Sequence, residues 1–228
     1  MKYRLVNSEL EAQITEIQNK IRLSMNGIVS GQMTQNGIIY KKNFGVSIPR
    51  IKEIASLYTP HHDLAQRLWD EKIRETMILS TLLEPIETFS TEIARQRIKS
   101  FNQIEIVEQT CMNLFCKLSF SNSLCIEFVQ SENEWTQITG FILGARIYEK
   151  LNHTEITAII HQAINASLTN NFHLYKSVAL CLSRFCRKDN ETAAYILKEI
   201  TAVFQQSSNS HQYILNEVKQ EILFLNIL

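Results

Sequence analysis

The residues of this chain that could do chemistry are scattered along it. Its six histidines are His61, His62, His153, His161, His173 and His211, and none forms an HExxH or comparable ligand pair. The cysteines contain no CxxC, and Cys111 with Cys116, and Cys181 with Cys186, stand five apart, off a shared helical face. Reduced, buried small side chains are the expected state. No Ser/His/Asp arrangement, P-loop or GxGxxG occurs, and neither a metal nor a cofactor is expected. What remains is charge. Basic residues cluster at Lys41 and Lys42 with Arg50 and Lys52, at Arg95, Arg97 and Lys99, and at Arg184, Arg187 and Lys188. On one face they could track phosphates. Glu53, Glu92, Glu105 and Asp189 dilute each cluster, so solvated helix faces are the first reading and phosphate contacts the second.

Any such groups must be positioned by helices. The chain has 228 residues, 45% of them apolar and 20% charged, with only 6 glycines and 3 prolines. An all-β domain of this length needs more turn residues. The 23 basic and 23 acidic residues cancel, which disfavours a dedicated nucleic-acid binder without excluding a basic stripe. No apolar run reaches the roughly 18 residues of a spanning helix, and the N-terminal stretch MKYRLVNSELEAQ lacks a signal-peptide core. A cytoplasmic protein without membrane contact is expected.

Leu10, Ile14, Ile17, Ile21 and Met25 recur at three- and four-residue steps and predict a helix over Ser8–Met25. A short helix and a loop follow, with four of the six glycines between Gly27 and Gly45. Ser47-Ile48-Pro49 is a helix start, a capping hydroxyl followed by a proline tolerated in the first turn. His61-His62, after Pro60, starts another. Trp69 falls in a core pattern. Further helices are predicted over 91–101, 104–118, 123–129, 134–151, 154–167, 171–187, 191–206 and 211–225, separated by short Asn, Ser and Asp stretches that cap and turn. Paired helices at a pitch of roughly 35–40 residues predict an all-α chain, a right-handed α-α superhelix of HEAT/ARM-like repeats forming one domain over residues 1–228. The apolar end, Ile222, Leu223, Leu225, Ile227 and Leu228, is expected to dock on the stack, with an oligomer contact as the alternative.

The stretch Asn43-Phe44-Gly45-Val46-Ser47-Ile48-Pro49-Arg50-Ile51-Lys52-Glu53-Ile54-Ala55 resembles the signature of the bacterial DNA alkylation repair (AlkD-like) family. Leu64 to Trp69 and Arg74 to Leu79 resemble the family's next two elements. The resemblance implies a concave superhelix of HEAT-like repeats. In active members that face grips duplex DNA, and N3- or N7-alkylated purines are excised without the base entering a pocket. It implies no cofactor.

Carried over residue by residue, the family's catalytic carboxylate falls on Glu108, in Ile104-Glu105-Ile106-Val107-Glu108. There it would stabilise the cationic sugar that develops as the glycosidic bond breaks. Its two groove tryptophans, which hold the lesion, fall on Ile104 and on Leu180, within Tyr175-Lys176-Ser177-Val178-Ala179-Leu180. Its phosphate-holding arginine falls on Ile138. The chain has only Trp69 and Trp135, so no realignment supplies two groove tryptophans. The DNA contacts expected on the concave face are Lys41, Lys42, Arg50, Lys176, Arg184, Arg187 and Lys188. The chain is thus expected to bind duplex DNA there without the usual excision. The alternative is a non-enzymatic scaffold that takes a protein partner in the groove.

Overall fold

The computed structural model describes residues 7–226. Among these lie thirteen α-helices and one 3-10 turn. No β-strand forms among the described residues, and the one isolated bridge pairs Lys42 with Ile73. None of these helices is long and apolar enough to cross a membrane. The chain divides into two compact units, Met1–Phe89 and Ser90–Leu228.

The first unit holds α1 (Ser8–Leu23), α2 (Gly27–Gln35), α3 (Ile48–Ala55), α4 (His62–Asp70) and α5 (Arg74–Leu83). Asn7 caps α1, its side chain accepting from the N–H groups of Glu9 and Leu10. Acidic residues open this helix and basic ones close it, complementing its dipole. The expected stripe is buried from Leu10 to Ile21, but the helix stops at Leu23 and Met25 is exposed. Asn26 is the reason. It caps α2 by accepting from the Val29 N–H at 3.1 Å, and its own N–H goes to the Phe44 carbonyl at 2.8 Å.

The signature turn at Asn43–Ser47 is built around Gly45, whose φ is +70°. A Cβ there would lie 2.2 Å from the Asn26 carbonyl oxygen, so only glycine fits. Ser47 caps α3 as expected, and His61 caps α4. A buried ion pair at the start of α5 fastens the turn. Glu75 accepts the N–H of Phe44 at 3.1 Å and that of Val46 at 3.2 Å. Arg74 donates to the Val46 carbonyl at 2.8 Å and to Glu75 at 3.1 Å. Two of the three sequence segments that carry the resemblance are therefore one hydrogen-bonded structure. Trp69 is in the core, as its pattern predicts.

The second unit holds α6 (Thr91–Ile98), α7 (Ile104–Asn113), α8 (Ser121–Val129), α9 (Glu134–Ile147), α10 (His153–Ala166), α11 (Phe172–Phe185), α12 (Asn190–Val203) and α13 (Asn209–Phe224). Helices α7, α9, α11 and α13 pack side by side in one layer, and α8, α10 and α12 pack in a second. Side-chain caps define the entries of all but α7 and α8: Asn152 and Glu155 form a reciprocal capping box on α10, and Asp189 accepts the Thr192 N–H at 2.7 Å. The helix expected over 104–118 is broken at Leu114 (φ −128°, ψ −65°), and a 3-10 turn follows over Phe115–Lys117. The break brings Phe115 against Phe128, ring centroids 6.3 Å apart. Leu114 and Phe115 are both fully buried, so apolar periodicity alone runs through the break unaltered.

Of the apolar end, Ile222 docks on the stack, whereas Leu223 and Phe224 are exposed. Ile227 and Leu228 lie outside the described residues. All five cysteines are unpaired thiols, four of them buried, and burial pushes the Cys186 thiol up to about 12.

His211 locks the α12–α13 junction. Its Nδ1 accepts the Gln205 N–H at 2.9 Å, which leaves Nε2 to donate to Ser167 Oγ at 2.9 Å. The ring stacks on Phe204 at 4.2 Å and 8°. Burial holds its pKa below the usual histidine value. Protons then bind the unfolded chain first, so the contribution present at neutral pH is lost as pH falls from about 6.5. The thermal midpoint is expected to fall from about pH 7 to about pH 5, and to fall less in His211→Gln.

Candidate functional site

The layer formed by α7, α9, α11 and α13 encloses a cavity of about 690 Å³. Ile104, Ile142 and Leu180 line it together with the rings of Phe172, His173, Tyr213 and Phe224. Five charged residues of both signs line it: Glu108, Lys176, Arg184, Glu217 and Glu221. Helix period explains the grouping on α11, since His173, Lys176, Leu180 and Arg184 recur at three- and four-residue steps on one face.

Glu108 projects into the cavity from α7. Glu108 is exposed, yet partial desolvation raises its carboxyl pKa above the ordinary value, and Glu105 adds to this. Arg146, Lys176 and His173 oppose the rise. The result is a carboxylate in partly desolvated surroundings with positive groups nearby. Such a group can accept hydrogen bonds strongly or stabilise an adjacent developing cation. The Ser183 hydroxyl, also at the cavity, is buried with no hydrogen-bond partner among the described residues.

The structure brings three of the expected residues together here, Glu108, Lys176 and Arg184. Arg187, on the same unit, is exposed and ion-paired with Glu221. Lys188 serves the fold: its ammonium donates to the carbonyls of Glu149 at 2.9 Å and Leu151 at 3.0 Å, satisfying the end of α9. Lys41, Lys42 and Arg50 belong to the first unit. Lys42 Nζ stands 4.6 Å from the Phe44 ring centroid. Arg50 is held by Glu53 at 2.8 Å and by Ser24 at 3.1 Å. Arg95 makes a two-pronged pair with Glu127 at 2.7 and 2.8 Å.

Ile104 and Leu180 line the cavity, as the carried-over groove positions require. Ile138 does not; it is fully buried within α9. The cation near Glu108 is Arg146, eight residues further on, and sequence comparison missed it. Its signal was visible, because Arg146 is the one charged residue in the run Ile138–Ile147. His173 and Tyr213 were missed as cavity residues too. Among the described residues no group of His, Cys, Asp and Glu side chains is arranged to hold a metal ion.

The family model for DNA alkylation repair enzymes matches residues 22–208. The chain belongs to that family. Within the solved structures, a member of "a new family of proteins related to the HEAT-like repeat DNA glycosylases with affinity for branched DNA structures" superimposes with a TM-score of 0.76. The match covers 90% of this chain and 94% of that one at 10% identity. At that identity it shows the fold, the all-α HEAT-like repeat architecture that the helix pitch predicts. No curated protein sequence matches the chain.

Proposed function

We propose that this protein is a DNA-binding member of the alkylation repair family that lacks the usual excision of alkylated purines. The observation that carries this reading is the wall around Glu108. Ile104 and Leu180 stand at the two positions where active relatives need indole faces, and both line the cavity. Aliphatic side chains offer no cation–π contact to a positively charged lesion or sugar. Neither tryptophan stands at those two positions: Trp69 is buried in the first unit, and Trp135 lies in the first turn of α9. DNA affinity is supported by the family and by the branched-DNA affinity of the structural relative. Lys176, Arg184 and Arg146 are the phosphate contacts in the second unit, with Lys41, Lys42 and Arg50 as those of the first.

Alkylated duplex DNA incubated with the protein is expected to release neither 3-methyladenine nor 7-methylguanine above background, and Glu108→Gln to be indistinguishable from wild type. Release by wild type that disappears in Glu108→Gln would refute the non-excising reading. Gel shifts should show DNA binding that weakens steeply with salt, and absence of binding at low salt would remove the DNA reading.

One observation favours a second reading, a scaffold for a protein partner. Three carboxylates share the cavity with two cations, and Phe224 beside them is 74% exposed. A mixed-charge apolar groove suits a peptide as well as a phosphate backbone. Such a partner would compete with DNA for the cavity and bind with little salt dependence.

A further inference from the structure

Five rings form one cluster, of which Phe172, His173 and Tyr213 line the cavity. Trp135 lies in the first turn of α9, Phe172, His173 and Tyr175 in the first turn of α11, and Tyr213 near the start of α13. Trp135 stacks on His173 at 6.0 Å, and Phe172 touches His173 edge-on at 5.9 Å. Phe172, Tyr175 and Tyr213 form a triangle with centroid separations of 5.4, 6.4 and 5.3 Å. Each ring is fixed by its neighbours. Yet this is not core: Phe172 is 49% exposed, and the other four rings are half-buried. Lys176 Nζ stands 5.5 Å from the Phe172 centroid.

We propose that this aromatic rim is a stacking platform for an unpaired base of DNA, and that the cavity behind it receives the polar edge of that base. The proposal rests on the reading that the chain binds DNA and deepens it, naming the structural class of DNA. A continuous duplex covers both faces of every internal base. At a gap, flap or branch the faces are free, and a fixed aromatic surface takes them irrespective of sequence. The charges agree with a base inside the cavity and the backbone outside it. Glu108 and Glu217 would repel a phosphodiester, whereas Glu221 is already paired with Arg187. A carboxylate accepts from the exocyclic amino group of a base, and Glu108 stands in the cavity for that. The Ser183 hydroxyl there, buried with no partner among the described residues, gains one. Lys176, beside Phe172, meets the adjoining phosphate. The cavity volume of about 690 Å³ is within the range that holds small organic ligands.

The test compares DNAs of one length: intact duplex, gapped duplex and duplex with a single-stranded flap, with 2-aminopurine at an unpaired position. Wild type is expected to bind the gapped and flapped forms about tenfold more tightly than intact duplex, with quenching of 2-aminopurine on stacking. Phe172→Leu and Tyr213→Leu keep apolar bulk and lose the ring, and each should remove most of that preference. Lys176→Gln should instead weaken all three DNAs alike and reduce the slope against salt by about one. Unchanged preference in both leucine variants would overturn the proposal. So would wild-type binding without quenching, a result that needs no variant to fold. DNA binding that ignores unpaired bases sinks only this inference; absence of binding to any DNA sinks the functional reading with it.

Discussion

Glu75→Ala is expected to lower the unfolding free energy by about 3–5 kcal/mol, read from urea or thermal unfolding. Glu75 and Arg74 are almost wholly enclosed. Removing the carboxylate takes the Glu75 ion pair away from the buried Arg74 guanidinium. It also strips the N–H groups of Phe44 and Val46 of their acceptor. Each loss has the same sign, and neither can be repaired by water at a site this closed. Glu75→Gln keeps the shape and one acceptor, so it should cost less than alanine. The double replacement Arg74→Met with Glu75→Leu should cost less than the sum of its single replacements, since it removes both charges. Additive losses would show that the pair is not the fastening of the signature turn.

Gly140→Ala is the other large effect, expected at about 3 kcal/mol, the upper end of overpacking. A Cβ at Gly140 would lie 2.6 Å from the Val129 amide nitrogen and 2.9 Å from the Phe128 carbonyl carbon. These are backbone atoms of α8, so no rotamer change relieves the contact and the two helices must separate. Gly144→Ala provides the contrast. Its Cβ would meet the sulfurs of Cys125 and Cys181 at 3.2 Å, and these can yield slightly, so a loss of about 1 kcal/mol is expected. Because α9 also carries Ile142 and Arg146, Gly140→Ala should disturb the cavity as well as stability. Equal, small losses at both glycines would contradict the close approach of α8 and α9.

Most element positions were legible because their causes are local. A hydroxyl or amide cap, an apolar residue every three or four positions and a proline near a helix start act over a few residues. Hence α3, α10 and α11 begin close to where Ser47, Asn152 and Asn171 stand. The break at Leu114 was not legible. Its cause is the need to turn Phe115 toward Phe128, a residue brought close only by packing. The buried link from Glu75 to the loop at Phe44 was hidden for the same reason, although both segments stood out as motifs.

The sequence by itself determined an all-α chain of paired helices, its family and the presence of only two tryptophans. These follow from residue type, count and short-range spacing. Tertiary structure decided which side chains share a site. The cavity takes residues from four helices that the chain separates by about one repeat each, so its membership depends on how every helix is rotated about its axis. Ile138, the position onto which the family's arginine was carried, is buried within α9, whereas Arg146 two turns further on is the α9 cation whose charge is felt at Glu108. Trp135, His173 and Tyr213 carried no sign of one another, and they meet because the helices they open begin at the same end of one packed layer.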